Sequence, residues 1–340
     1  MSTSRQLPTS FTLNNGTSVP AVGLGTFQGD EGNSKVKEVV LTALLNGYRH
    51  IDGATAYGNE KDIGEAINES SIPRNEIYVT TKLAQSWHEP KDVEEALNQS
   101  LKALGLEYVD LYLMHFPHAY LPGPGNGTIR HPSGNGEGEQ PTPLHYSLLT
   151  RMQPVIDYER SRKYPETWQA MERVVDSGKA KSIGLSNFNI LKTKRVLQVA
   201  RIKPAVNQVE MHPYLPQHDL LKFYKEQNLH LMAHQPLGGK PVGVVAAHPD
   251  KPGPLFDSKI ILSWAIQRGT SVVPKTVQTH RLAENLCLSA LKDEHFQIVD
   301  TLTDHMESGP LRYLNPEKHL GFDIFSEEAD EPVGNVAPWD

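Results

Sequence analysis

One cysteine, Cys287, in 340 residues leaves no internal disulfide framework and no multi-cysteine metal site, as suits a reducing cytosol. Its flanks, "ENLCLSA", read as a helix interior, so Cys287 is expected to be a small buried apolar residue rather than a nucleophile. Long apolar runs are also missing. None approaches the roughly 18 residues of a membrane span, and the opening "MSTSRQLPTSFTL" has no apolar signal core. Nor is there a basic stripe: 33 Lys and Arg are interspersed with 40 Asp and Glu, for a net charge of -7, which argues against a nucleic-acid groove. The expectation is a soluble cytoplasmic protein with neither membrane nor nucleic acid as partner.

What the chain has is alternation. After "SFTLNNGTSVP", a hairpin turning on Asn15 and Gly16, short apolar runs alternate with amphipathic ones. The candidate strands are 21–25, 49–52, 77–82, 109–115, 180–186, 205–210, 229–234 and 270–275, eight in all. Between them lie runs of helical spacing such as 34–47 and 91–105, the latter closed by Gly105. Eight such units, with strands rich in Val, Ile and Leu, predict one α/β domain: a (β/α)8 TIM barrel over about 21–290 with an N-terminal β-hairpin and long mouth loops. Two Gly- and Pro-rich excursions interrupt the rhythm, a long loop at 117–163 and a shorter one at 235–254, and a mixed tail runs from about 303 to 340. No linker divides the chain in two.

In such a barrel, chemistry sits at the strand C-terminal ends. Four polar residues fall there: Asp52 and Tyr57 after the second strand, Lys82 at the end of the third and His115 at the end of the fourth. Singly, each has a plain reading: a turn cap, a half-buried aromatic, a rim charge, a core histidine. Together they make an acid-base set. A phenol with a pKa near 10 donates a proton slowly unless its phenolate is stabilised, which an adjacent ammonium does. Asp52 would hold Lys82 charged, and His115 would orient a carbonyl oxygen toward Tyr57.

With these residues in view, the sequence resembles the aldo-keto reductase family, in its aldose-reductase-like and fungal glycerol-dehydrogenase-like members. "GYRHIDGATAYGNEKDIGEAI" (47–67), "VTTKL" (79–83), "VDLYLMHFP" (109–117), "SIGLSNFN" (182–189), "NQVEMHPYLPQ" (207–217) and "VVPKTVQTHRLAENL" (272–286) carry the likeness in order. The resemblance implies reduction of an aldehyde or ketone by a nicotinamide hydride, with Tyr57 as acid, Lys82 and Asp52 tuning it and His115 orienting the carbonyl. It implies NADPH as cofactor, with NADH a weaker alternative, and a monomer acting on a small-molecule carbonyl. Ser186, Asn187 and Gln208 would hold the nicotinamide carboxamide. Lys275, Thr276 and Arg281 would grip the 2'-phosphate, with Glu284 and Asn285 near the adenine. The remaining cofactor surface would come from Gly25, Thr26 and Asp52 and from the stretch His234, Gln235, Pro236 and Leu237.

A physical case for the phosphate site stands beside the resemblance. A Lys followed six residues later by an Arg, across a strand-to-helix junction, puts two cations at a helix N-terminus. "VGLGTFQG" (22–29) is not a dinucleotide fingerprint, because Gln28 stands where the third glycine is required. Its glycines are expected to let the backbone approach the cofactor.

The chain departs from the family at the seventh strand, where "MAHQPLGG" has His234 and Gln235 in place of a stacking Tyr and a Ser. Phe27 and Phe116 are expected to line the substrate pocket with Tyr57 and His115. Tyr120, Leu121, Tyr146, Met152 and Tyr158 of the long loop are candidates to enclose a larger carbonyl. His118, His131 and His145 are read as surface-loop residues, not metal ligands. Three other readings stay open: a Schiff-base lyase using Lys82, a cofactor-binding regulatory subunit with little turnover, and the same reaction run as NADP-dependent alcohol or polyol oxidation.

Overall fold

The chain begins with an antiparallel hairpin, β1 (Ser10–Thr12) and β2 (Ser18–Pro20). The computed structural model describes residues 6–28, 30–129, 154–238, 257–316, 320 and 323–325. The turn is closed by the Leu13 N–H donating to the Thr17 carbonyl at 2.8 Å, with Gly16 at φ 82°, where a side chain would be strained. Leu13 and Val19 pack against Leu111, Leu113, Val206, Met232 and Val273, so the hairpin plugs the lower end of the sheet that follows.

That sheet contains the eight expected strands. In chain order they are β3 (Leu24–Gly25), β4 (His50–Asp52), β5 (Tyr78–Leu83), β6 (Val109–Met114), then, after a separate pair β7 (Ala119–Tyr120) and β8 (Ile156–Asp157), β9 (Ala180–Ser186), β10 (Val206–Glu210), β11 (His230–His234) and β12 (Ser271–Val272). Each barrel strand lies parallel to its predecessor. The ring closes where Val22 bridges Val272 in parallel, the Gly23 N–H donates to the Val272 carbonyl at 2.8 Å and the Gly25 N–H to the Pro274 carbonyl at 3.0 Å. A Cβ on Gly25 would stand 2.7 Å from the Val273 carbonyl oxygen. The glycine is therefore required by the approach of the first and last strands.

Helices follow the strands: α1 (Val36–Leu45), α2 (Glu60–Glu69), α3 (Val93–Leu104), the short α4 (Tyr158–Arg162), α5 (Tyr164–Asp176), α6 (Ile190–Val199), α7 (His218–Glu226), α8 (Ser258–Gln267), α9 (Thr279–Leu286) and α10 (Asp293–Asp300). Every residue of β5 and β6 is buried, because barrel strands are covered by helices outside and by side chains inside. In α3 the buried set Val93, Ala96, Leu97, Ser100, Leu101 and Leu104 is one face of a 3.6-residue helix. Gly64 of α2 sits directly on the Leu104 backbone carbonyl at the end of that helix.

Two expectations are corrected. The 117–163 stretch is not wholly irregular, since Ala119 and Tyr120 pair with Asp157 and Ile156, and α4 follows. Its residues 130–153, with His131, His145, Tyr146 and Met152, lie outside the described residues. Cys287 is exposed rather than buried: α9 ends at Leu286 and buries Leu282 and Asn285, which leaves Cys287 as the cap, off the buried stripe. Among the described residues, no helix is long and apolar enough to cross a membrane.

Gly64→Ala gains about 1 kcal/mol of helix propensity but drives a methyl into the Leu104 carbonyl, so a net loss of about 1–2 kcal/mol is expected in urea denaturation. His50 and His88 are buried, and burial holds their imidazoles down at about 4 and about 3. Unfolded, each binds a proton near pH 6.5, so their share of stability is intact above that pH and is lost as pH falls toward 4. Denaturation midpoints should be level between pH 7 and 8, and at pH 5 each histidine should cost about 2 kcal/mol.

Candidate active site

The strand C-terminal ends converge on a buried ammonium. Lys82, the fifth residue of β5, has no exposed surface. Its Nζ donates to Asp52 Oδ1 at 2.7 Å, to the Gly53 carbonyl at 2.9 Å and, more loosely, to Tyr57 Oη at 3.5 Å. An ammonium has three protons, and here each has an acceptor. Burial pushes the Lys82 pKa down, but the adjacent Asp52 carboxylate and Tyr57 outweigh it and hold the group above its usual value.

Tyr57 ends a single 3-10 turn, Thr55–Tyr57, immediately above β4. The turn is pinned from two sides: the Thr55 hydroxyl donates to the Lys82 carbonyl at 3.1 Å, and Asn33 Nδ2 donates to the Tyr57 carbonyl at 2.9 Å. The small residues before Tyr57 thus let the chain fold back over the strand end. Burial raises the phenol above its ordinary value, with Lys82 pulling the other way. This corrects the sign expected from the Lys82 neighbour alone, because desolvation of the phenolate is the larger effect. The phenol is neutral at physiological pH, the state a proton donor requires.

His115, just past β6, is buried, with its ring 5.6 Å from that of Tyr57 and edge-on to it. Burial, helped by the Lys82 charge, holds it well below its ordinary range, so it is a neutral imidazole. Its Nδ1 is buried with no hydrogen-bond partner among the described residues. Ring contacts continue outward from Tyr57 to Phe27 at 5.0 Å and from His115 to Phe116 at 5.2 Å, then on to His118 at 5.0 Å and Tyr120 at 5.2 Å. His118 is buried in this row and is not the surface-loop residue expected. Among the described residues no cluster of ligands could hold a metal.

A group of amide and hydroxyl side chains faces the same mouth from β9 and β10. Gln208 Nε2 donates to Asp52 Oδ2 at 2.6 Å, so Asp52 joins the ammonium on one oxygen to Gln208 on the other. Ser186 donates to the Gln208 carbonyl at 2.9 Å, and Asn187 Nδ2 to the His115 carbonyl at 2.9 Å. His234 stands against Asn187, and Gln235 (φ 49°), buried Pro236 and half-buried Leu237 lead the chain away from β11. Thr26 is buried and its hydroxyl donates to the Asp52 carbonyl at 2.9 Å.

The second predicted group begins on the other side of the closure. The Lys275 stem lies over Gly25, where an added Cβ would be 3.5 Å from Lys275 Cβ. Burial alone depresses the Lys275 ammonium, with no opposing carboxylate among the described residues. Arg281 and Glu284 are exposed on α9, and the Thr276 hydroxyl accepts from the Gln278 N–H at 3.0 Å. Asn285 is buried in the same helix, beneath which the Tyr48 hydroxyl donates to the Leu282 carbonyl at 3.2 Å and has its pKa pushed up by burial to about 12.

Sequence reading missed the far wall. Leu320, Ile324 and Phe325 of the tail pack with Ile156, Phe116, Tyr120 and Tyr158, and Tyr158 Oη donates to the Leu320 carbonyl at 3.1 Å. Buried Glu210, at the end of β10, anchors that tail by accepting the Tyr313 and Leu314 N–H groups at 2.7 Å each. A buried acid closing a strand, as in Asp52, was the available signal for Glu210. The tail itself has no local pattern that marks it.

The buried pair makes a stability prediction. Asp52→Asn strands the Lys82 ammonium in the barrel wall and should cost about 3–5 kcal/mol in chemical denaturation. Adding Lys82→Met removes the stranded charge, so the double variant should recover part of that loss.

With the geometry established, comparison with known proteins places the chain. Residues 21–252 match the profile described as Aldo/keto reductase family. The chain is 37% identical over 320 residues to Glycerol 2-dehydrogenase (NADP(+)) of Saccharomyces cerevisiae, covering 90% of this chain and 94% of the yeast protein. Its structure is similar to that of the aldose reductase from Schistosoma japonicum, with a TM-score of 0.76 at 32% identity over 95% of this chain and 99% of the other. It is also similar to a Bombyx mori aldo-keto reductase in complex with NADP, with a TM-score of 0.68 at 30% identity over 87% and 93% of the two chains. With the profile spanning most of the barrel and these relatives matching nearly end to end, the chain belongs to the aldo/keto reductase family.

Proposed function

We propose that the chain reduces the carbonyl of a small aldehyde or ketone to an alcohol, with NADPH as electron donor. The observation that carries this reading is the buried Lys82 ammonium, shared between Asp52 Oδ1 and Tyr57 Oη, beside a neutral His115. When bound, NADPH supplies a hydride to the carbonyl carbon. The protein must then deliver a proton to the oxygen and stabilise the charge left behind.

Tyr57 is the donor. Its neutral phenol releases its proton as negative charge develops on the carbonyl oxygen, and the phenolate that remains lies beside the Lys82 ammonium. Asp52 keeps that ammonium charged and directed. An N–H of neutral His115 points the carbonyl oxygen at the phenol, because an uncharged imidazole donates a hydrogen bond without competing to give up its proton. A Schiff base on Lys82 is disfavoured, since a charged, threefold-bonded ammonium has no lone pair to attack with.

The residues present suit the cofactor. The side-chain donors of Ser186, Asn187 and Gln208 are held by neighbouring groups, which leaves their oxygens as acceptors for a carboxamide N–H, and in Gln208 the amide oxygen accepts nothing among the described residues. Lys275, in the segment that leads into α9, and Arg281, in the first turn of α9, are cations that would grip a 2'-phosphate, which favours NADPH over NADH. The yeast and silkworm relatives are, by their names, associated with NADP, which supports the same choice. The yeast relative is named for an alcohol oxidation, so the reaction run in reverse, from a polyol with NADP+, is the second reading. All the groups named stand on one chain, so a monomer suffices. The assembled proton-donor set also argues against a purely regulatory, cofactor-binding role.

Tyr57→Phe deletes the proton and leaves the ring. NADPH consumption, followed by its absorbance against a panel of aldehydes, aldoses and bulkier ketones, should fall by about 10²–10⁴ in kcat while NADPH affinity is retained. A wild-type chain that binds NADPH and reduces no member of a broad panel would overturn the reading.

A further inference from the structure

The bond between His234 and Asn187 is not explained by proton donation, and it is specific to a chain with histidine at this position. Asn187 follows β9 with φ 63°, is 2% exposed, and its side chain is engaged at both ends. Nδ2 donates to the His115 carbonyl at 2.9 Å and to Ser186 Oγ at 3.2 Å. The Ser186 hydroxyl proton is already given to the Gln208 carbonyl at 2.9 Å, so Oγ is an acceptor here. Two acceptors therefore fix which end of the amide is nitrogen.

The other end, Oδ1, stands 3.0 Å from His234 Nε2. An amide oxygen only accepts, so Nε2 must bear a proton. Burial holds the His234 pKa down at about 4, with Glu210 and Asp52 pulling it up and Lys82 and Arg312 pulling it down. At neutral pH the ring thus has one proton, and that proton is on Nε2. The links run without a break from the His115 main chain through Asn187 to the ring of His234, joining the ends of β6, β9 and β11.

We infer that His234 is a positioning residue: its Nε2–H locks the Asn187 amide and fixes its own ring plane as the platform on which the nicotinamide is laid. The inference rests on reading this mouth as the nicotinamide site. A tyrosine hydroxyl lies beyond its ring on a longer arm, whereas an imidazole presents a donor at the ring edge itself. In this chain, stacking surface and amide clamp are one side chain.

The test begins on the wild-type protein with ¹⁵N-labelled histidine, without cofactor. Its long-range ¹⁵N–¹H spectrum at neutral pH should show His234 as the Nε2–H tautomer, and Asn187→Ala should release it to a mixture. An Nδ1–H tautomer in the wild type would overturn the clamp, even if no variant folds. NADPH binding is then measured by fluorescence quenching. His234→Phe keeps a ring face but loses the N–H, and should weaken binding about fivefold, the worth of one neutral hydrogen bond. In the Asn187→Ala background the same change should add nothing. Equal, additive losses in both backgrounds would mean that the ring acts alone and would overturn the inference. If wild type binds no NADPH, the nicotinamide reading fails, while the tautomer still decides whether the clamp exists.

Discussion

Everything at the mouth of this barrel is arranged around one buried ammonium. A lysine without exposed surface would ordinarily lose its proton, because removing a charge from water costs several kcal/mol. Here Asp52, the Gly53 carbonyl and Tyr57 together make the charged form the stable one. Each acceptor comes from the segment that leaves β4, so the neighbouring strand and its small-residue turn exist in this conformation because Lys82 needs them. The same charge then shapes the chemistry nearby. It pulls against the desolvation of Tyr57 and adds to that of His115, which leaves a neutral acid beside a neutral donor.

Rigidity spreads outward from that pair through side chains that use both of their ends. Asp52 accepts from Lys82 on one oxygen and from Gln208 on the other, and so ties the Lys82–Tyr57 side of the mouth to the amide side. Asn187 does the equivalent between the His115 main chain and His234. These links cross between strand ends at a point where the backbone ladder has stopped. In the proposed reaction they would preset the geometry that a hydride acceptor and a proton donor share, with the organisation cost met at folding rather than at each turnover.

The outer wall is assembled from parts far apart in the chain. The β7–β8 pair contributes Tyr120 and Ile156, and the tail contributes Leu320, Ile324 and Phe325. Glu210, at the C-terminal end of β10, holds the tail by two backbone N–H groups. The barrel thus supplies the groups proposed to react and the loops supply the shape, so related barrels with other loops can take other substrates.

By itself the sequence determined the strands and which polar residues stand at their ends. Parallel barrel strands are buried on both faces and read as runs of Val, Ile and Leu, which made all eight legible. A carboxylate, a lysine and a histidine at the ends of such runs were visible because polar residues there interrupt an apolar pattern. Tertiary structure alone decided the rest. The Gln208–Asp52 bond joins positions 156 apart, the need for Gly25 arises from Val273, and His118 is buried by rings on either side of it. The direction of the Tyr57 shift depended on how far folding withdraws the phenol from water, and the exposure of Cys287 on where α9 stops. None of these is a property of a local window. Each is set by what the folded chain brings within a few ångströms, and desolvation, the largest effect at this site, exists only once the chain has closed around it.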